Sequence, residues 1–175
     1  SSLIRGIAVN RFDGNGIFLD GGGNSVVEES HIGVALNGTG DRGNGAAGVR
    51  IEDSVDNIIG GPFGDGNVIA ANGGEGVLIL GSAAVRNVVN ANLIGTDANG
   101  DAALGNQIGI SIVAAPGNSI GGVTADSGNL ISGNLNAGVQ ISGSSATANA
   151  VNGNTIGTTI TGNAPLPNKM GIFIS

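Results

Sequence analysis

Aliphatic residues in this chain come two apart, in runs that fit only very short strands. Six runs share one form: glycine, an aliphatic residue, a variable residue, then a second aliphatic residue. They begin at Gly16, Gly48, Gly76, Gly109, Gly138 and Gly171. A spacing of two is strand periodicity, and no stretch repeats its apolar residues at three and four as a helix does. Successive glycines lie 32, 28, 33, 29 and 33 residues apart. A unit of that length cannot bury a core alone and gains one by stacking on its neighbours.

The pattern predicts about six coils of 28–33 residues with three short strands each, and the coils alternate in grammar. Long coils carry Asn-x-aliphatic and then Asn-x-Ile-Gly, as in Asn87-Val88-Val89 with Asn92-Leu93-Ile94-Gly95, and Asn149-Ala150-Val151 with Asn154-Thr155-Ile156-Gly157. A third reads Asn24-Ser25-Val26 with Ser30-His31-Ile32-Gly33, serine standing for the second asparagine. Short coils carry Asn57-Ile58-Ile59-Gly60-Gly61 before Asn67-Val68-Ile69, and Asn118-Ser119-Ile120-Gly121-Gly122 before Asn129-Leu130-Ile131. Two inward columns are expected from this alignment: Val26, Ile59, Val89, Ile120, Val151, and Ile32, Ile94, Ile156. β-Branched residues suit such an interior.

Thirty-five glycines and 22 asparagines serve the bends. Glycine reaches positive φ without a steric cost, and asparagine tolerates it better than most residues. Asparagine stacked on asparagine also forms an amide ladder, which pairs groups otherwise costly to bury. A β-sandwich is the competing architecture, but its strands run five to six residues and it predicts no columns of like residues.

The strings Asn92-Leu93-Ile94-Gly95-Thr96-Asp97, Leu104-Gly105-Asn106, Asn118-Ser119-Ile120-Gly121-Gly122 and Asn129-Leu130-Ile131-Ser132-Gly133-Asn134 carry a resemblance that spans nearly the whole chain. It resembles the right-handed parallel β-helix repeats of large bacterial secreted proteins, a group similar in fold to the pectate lyases and related polysaccharide-active enzymes. The resemblance implies an all-β, single-stranded, right-handed parallel β-helix, at the cell surface or outside the cell. The expected role is a non-catalytic structural or adhesion module. The alternatives are a polysaccharide lyase or glycoside hydrolase and a carbohydrate-binding module.

Composition narrows the partners. The net charge is −7 with six basic residues, so no basic face exists to neutralise nucleic-acid phosphates or anionic lipid. No run of eighteen apolar residues is present to cross a membrane as a helix. With no cysteine there is neither disulfide nor thiolate metal site. No Trp or Tyr and four Phe leave few rings on which sugars could stack. The expected partners are a polysaccharide or another protein. The chain reads as one domain, residues 1–175, belonging to a longer repeat protein, with end-to-end self-association through uncapped coils as the other expectation.

The third residue of each Gly-x-x-x run, and the one after the fourth, should face outward. The first outward column is then Phe18, Arg50, Leu78, Ser111, Gln140, Phe173, and the second is Asp20, Glu52, Leu80, Val113, Ser142, Ser175. Asp20, Arg50, Glu52 and the adjacent Asp53 form the catalytic candidate, since paired carboxylates cleave glycosides. A solvated surface cluster is the plainer reading. Asp97, Asn99 and Asp101 offer oxygens at alternate positions, as a calcium loop begins, but lack its later Gly and Glu. An Asx turn is the plainer reading there, and likewise at Asp13-Gly14-Asn15 and Asp65-Gly66-Asn67. Calcium is the only ion suggested, and no cofactor is. His31, the single histidine, aligns with outward Leu93 and reads as incidental. Gly21-Gly22-Gly23 lacks the Lys and the helix of a phosphate loop. Leu78, Leu80 and Val113 are outward yet apolar: either a contact patch or a surface roofed by the long-coil loops, about 37–47, 97–105 and 158–168.

Overall fold

A computed structural model describes residues 1–61, 66–124 and 126–175. It is a right-handed parallel β-helix, with no helix among the described residues. Each of six coils contributes one strand to each of three sheets. Sheet one stacks β1 (Leu3–Arg5), β4 (Val26–Glu28), β7 (Ile58–Ile59), β10 (Val88–Val89), β13 (Ser119–Gly121) and β16 (Ala150–Asn152). Sheet two stacks β2 (Ala8–Val9), β5 (His31–Ile32), β8 (Val68–Ile69), β11 (Leu93–Ile94), β14 (Leu130–Ile131) and β17 (Thr155–Ile156). Sheet three stacks β3 (Ile17–Asp20), β6 (Val49–Glu52), β9 (Glu75–Leu80), β12 (Ile108–Val113), β15 (Ala137–Ser142) and β18 (Met170–Ile174). Every pairing between these strands is parallel and joins neighbouring coils.

The core is the stack of inward aliphatics. Ile32, Ile69, Ile94 and Ile131 are fully buried in sheet two, and Val49, Ile51, Val77, Ile79, Ile110, Ile112 and Val139 in sheet three. Each such burial contributes about 1.5–3 kcal/mol. Sheet one corrects one expectation. Its inward column is Val27, Ile59, Val89, Ile120, Val151, because Val27 pairs with Ile59 and Val26 with Ile58. Val27 is wholly buried while Val26 faces out. The ladder decides this register: Ser25, not Asn24, donates its N–H to Asn57 Oδ1 at 3.1 Å. Asn24 sits at the preceding corner with φ +60°.

Three asparagine ladders run up the three inner corners. One links Asn57, Asn87, Asn118 and Asn149; the second links Asn67, Asn92, Asn129 and Asn154; the third links Asn44, Asn72, Asn106, Asn134 and Asn168. Each amide nitrogen donates to the Oδ1 of the next coil at 2.8–3.3 Å. That Oδ1 also accepts the backbone N–H below it, as Asn92 does from Asn67 N. The third ladder explains the glycine near the start of the first five sheet-three strands. A Cβ at Gly48 would lie 2.8 Å from both Asn72 Nδ2 and Gly76 O, and Gly76, Gly109 and Gly138 stand in the same relation to Asn106, Asn134 and Asn168.

The long coils differ by a hairpin after sheet two. Its arms are bridged at Val34–Asp41, Thr96–Ala103 and Thr158–Pro165. Each turns at a glycine with φ of 71–73°: Gly38, Gly100, Gly162. The hairpins hydrogen-bond to one another, Ala98 N to Gly38 O at 2.9 Å and Ile160 N to Gly100 O at 3.0 Å. Their returning arms accept from the coil below: Arg42 O from Arg11 N, Leu104 O from Ala71 N, Leu166 O from Gly133 N. A hairpin has two arms about as far apart as two coils, about 4.8 Å. One hairpin per two coils therefore covers the middle of the outer face of sheet two, burying Val68 and Leu130, which is why long and short coils alternate.

Candidate functional site

The hairpins roof sheet two, not sheet three. Val34, Val68 and Ala70 form a second small core, with Leu93, Ala98 and Leu104 packed against it. Of the two readings for Leu78, Leu80 and Val113, a contact patch or a loop cover, the described contacts show no hairpin over them, and these three stay half-exposed on the outer face of sheet three. The same roof accounts for His31. Its Nδ1 lies 2.8 Å from Leu36 O under the first hairpin. A carbonyl only accepts, so Nδ1 carries the proton. This imidazole anchors a hairpin.

The candidate face is the outer side of sheet three, and both outward columns stand in register as the spacing implied, although Ser111 is buried. Phe18, Arg50, Leu78, Ser111, Gln140 and Phe173 are register partners, and so are Asp20, Glu52, Leu80, Val113 and Ser142. Strand β6 places Arg50 and Glu52 on one face because they are two apart. Their side chains pair along the strand, Arg50 Nε to Glu52 Oε2 at 3.0 Å and Nη2 to the same oxygen at 2.8 Å. Arg50 Cζ also lies 5.5 Å from the centroid of the Phe18 ring on the coil below, within cation–π range. Asp20 is exposed beside Glu52.

Asp53 leaves the group. It follows β6 at the corner toward sheet one, with φ +45°, and its Oδ1 accepts the Ala83 N–H of the next coil at 3.2 Å. Gly81 has no side chain there because a Cβ would stand 2.2 Å from that oxygen. The four candidates thus divide into an Arg50–Glu52 pair with Asp20 as neighbour, and a corner brace.

In the second hairpin Asp97 is buried and its oxygens are held from within. Oδ1 accepts from Asp101 N (3.1 Å) and Ala102 N (3.2 Å), and Oδ2 accepts from Asn99 Nδ2 (2.9 Å). This is the geometry of an Asx-type turn. Asp101 itself is exposed. Among the described residues no group of three or more His, Cys, Asp or Glu is placed to hold a metal. Asp65 lies outside the described residues.

Two braces escaped the sequence reading. Arg86 grips Asp56 of the coil below through two bonds, Nε–Oδ1 2.7 Å and Nη2–Oδ2 2.6 Å. Those hydrogen bonds hold the Asp56 carboxyl below its ordinary value. Arg5 likewise spans to Glu29, with Glu28 3.4 Å away. The signal available was an opposite charge one coil length away, 30 residues for Asp56 and Arg86. No family model, curated protein or solved structure matches the chain.

Proposed function

We propose that this chain is a rigid, non-catalytic β-solenoid module of a secreted or cell-surface bacterial protein, serving a structural or adhesive role. The observation that supports it best is how the polar groups are spent. The ladder amides and the corner carboxylates are hydrogen-bonded within the stack, and the acidic cluster on the outer face of sheet three has its arginine paired to its own glutamate. A general acid needs a raised pKa and a base or nucleophile free to reach substrate. Glu52 Oε2 is instead engaged by Arg50 of its own strand at 2.8 and 3.0 Å.

A second reading is a carbohydrate-binding face on sheet three. The adjacent Phe18, Arg50, Asp20 and Glu52, on a strand face over which the described contacts place no hairpin, support that reading. The test is a panel of neutral and acidic polysaccharides incubated with the protein, with and without calcium. The first reading expects neither turnover nor saturable binding. Turnover lost in Glu52→Ala would overturn it in favour of a lyase or hydrolase. Binding without turnover, weakened by Phe18→Ala, would favour the second. Calcium-dependent binding lost in Asp97→Ala would assign the hairpin to the ion.

A further inference from the structure

Six asparagines in this chain precede a glycine: Asn15, Asn37, Asn44, Asn72, Asn99 and Asn152. A glycine has no Cβ, so its backbone nitrogen reaches the carboxamide carbon before it with the least hindrance. The structure sorts the six. Gly16, Gly45 and Gly73 donate their N–H groups to Ala47 O, Phe12 O and Asn44 O of neighbouring coils at 2.7–2.9 Å. Asn152 lies in β16, in register with Gly121. The stack holds those four. Asn37 and Asn99 remain, both exposed, at equivalent places in the first two hairpins. Their glycines donate only within the turn, Gly38 N to Ala35 O at 2.7 Å and Gly100 N to Asp97 O at 3.0 Å. Such a bond opens without parting two coils.

The two turns differ in what surrounds the carboxamide. In the first, the Thr39 N–H donates to Asn37 Oδ1 at 3.2 Å. A backbone donor on that oxygen stabilises the negative charge that develops there when a nucleophile adds to the amide carbon. In the second hairpin the matching N–H, that of Asp101, goes to Asp97 Oδ1 instead. Asn99 offers its nitrogen, Nδ2 donating to Asp97 Oδ2 at 2.9 Å. A carboxylate at that distance opposes further negative charge on the amide. The first hairpin has Ala35 where the second has Asp97.

We propose that Asn37 is a site of spontaneous deamidation, that Asn99 is protected by Asp97, and that the change at Asn37 loosens the roof over sheet two. Gly38 N gives its proton to water and bonds to Asn37 Cγ. The Cγ–Nδ2 bond breaks and ammonia leaves, closing a succinimide ring. Water then opens either ring carbonyl, leaving aspartate or isoaspartate at position 37. Isoaspartate runs the backbone through the side-chain methylene and adds an atom between Leu36 and Gly38. Those two residues carry the holds of the first hairpin, Leu36 O to His31 Nδ1 at 2.8 Å and Gly38 O to Ala98 N at 2.9 Å. Slack between them frees the cover from Val68 and Ala70.

The test is peptide mass spectrometry after incubation in mildly alkaline buffer. In the folded wild type the Asn37 peptide is expected to gain the mass of deamidation while the Asn99 peptide does not. In the chain unfolded in urea the two should convert at comparable rates. Ala35→Asp, which gives the first hairpin the carboxylate of the second, is expected to slow conversion at Asn37 several-fold with an unchanged circular dichroism spectrum. Equal rates at Asn37 and Asn99 in the folded chain would overturn the proposal, and so would a folded Ala35→Asp variant that converts as fast as wild type. Hydrogen exchange at Ala98 N should speed up in the converted fraction, and unchanged exchange there would overturn the loosening.

Discussion

Replacing Asn92 by alanine removes one rung from the middle of the second ladder. Asn92 is wholly buried. Its Oδ1 accepts from Asn67 N (3.0 Å) and Asn67 Nδ2 (2.9 Å), and its Nδ2 donates to Ile59 O, Asn90 O and Asn129 Oδ1 at 2.8–3.0 Å. Several partners retain another bond after the change. Asn67 Nδ2 still reaches Val27 O, Asn129 Oδ1 still accepts Asn92 N, and Ile59 O still accepts Asn90 N. The buried Asn67 N–H retains none. Stranding it costs about 1–3 kcal/mol, so with the weakened amides the expected loss is about 3 kcal/mol. Asn92→Asp has the same shape and should be worse. Its second oxygen would face three acceptors, and an unpaired buried charge costs about 3–5 kcal/mol. The folded state raises that carboxyl's pKa, so the aspartate variant is least impaired below the unfolded value of about 3.9 and loses stability as pH rises. Urea melts at acid and neutral pH, with hydrogen exchange at Asn67, measure both effects. The exposed hairpin residue Asn163, replaced by alanine, should stay within about 0.5 kcal/mol of wild type. An Asn92→Ala loss no larger than the Asn163→Ala control, or an aspartate variant better tolerated than alanine at neutral pH, would refute the ladder argument.

The Asp56–Arg86 brace should show in acid. Because the folded state lowers the Asp56 pKa, its stabilisation is present above the unfolded value and is lost as pH falls through the folded one. The gap between wild type and Asp56→Asn in urea melts should hold constant from pH 8 to 5, close below about pH 4, and shrink in high salt. Whole modules should be removable. Deleting residues 77–138, two coils, joins Gly76 to Val139, keeps short under long and brings Ile160 N to Gly38 O. Deleting 77–109, one coil, leaves two short coils adjacent and Val68 without its roof. The shorter chain from the two-coil deletion should melt cooperatively near wild type, whereas the one-coil deletion should melt earlier and bind a hydrophobic dye.

Sheet three was legible in the sequence because one residue type marks its phase. A glycine stands at or next to the start of each strand, and Gly16, Gly48, Gly76, Gly109 and Gly138 each pass beneath an asparagine amide, so aligning the glycines aligns the register, and the outward columns follow from a period of two. The ladders were legible as a principle, since asparagine recurs at corners that need a paired amide. In sheet one, Val26 and Val27 are both aliphatic, and a strand phase cannot be read where neighbours are alike. Only the ladder bond from Ser25 chose between them. Hairpin length was plain from the spacing, but its destination was not: two arms span two coils, and that match of widths exists only once the coils are stacked. Asp53 shows the same limit. Its place beside Glu52 in the chain suggested a shared face, and a left-handed corner turned its carboxylate to the next coil. The sequence by itself determined the repeat and the inward columns of sheets two and three, because periodicity is local. Tertiary structure decided what covers which face and which charges meet, because those depend on contacts between residues about thirty or sixty positions apart.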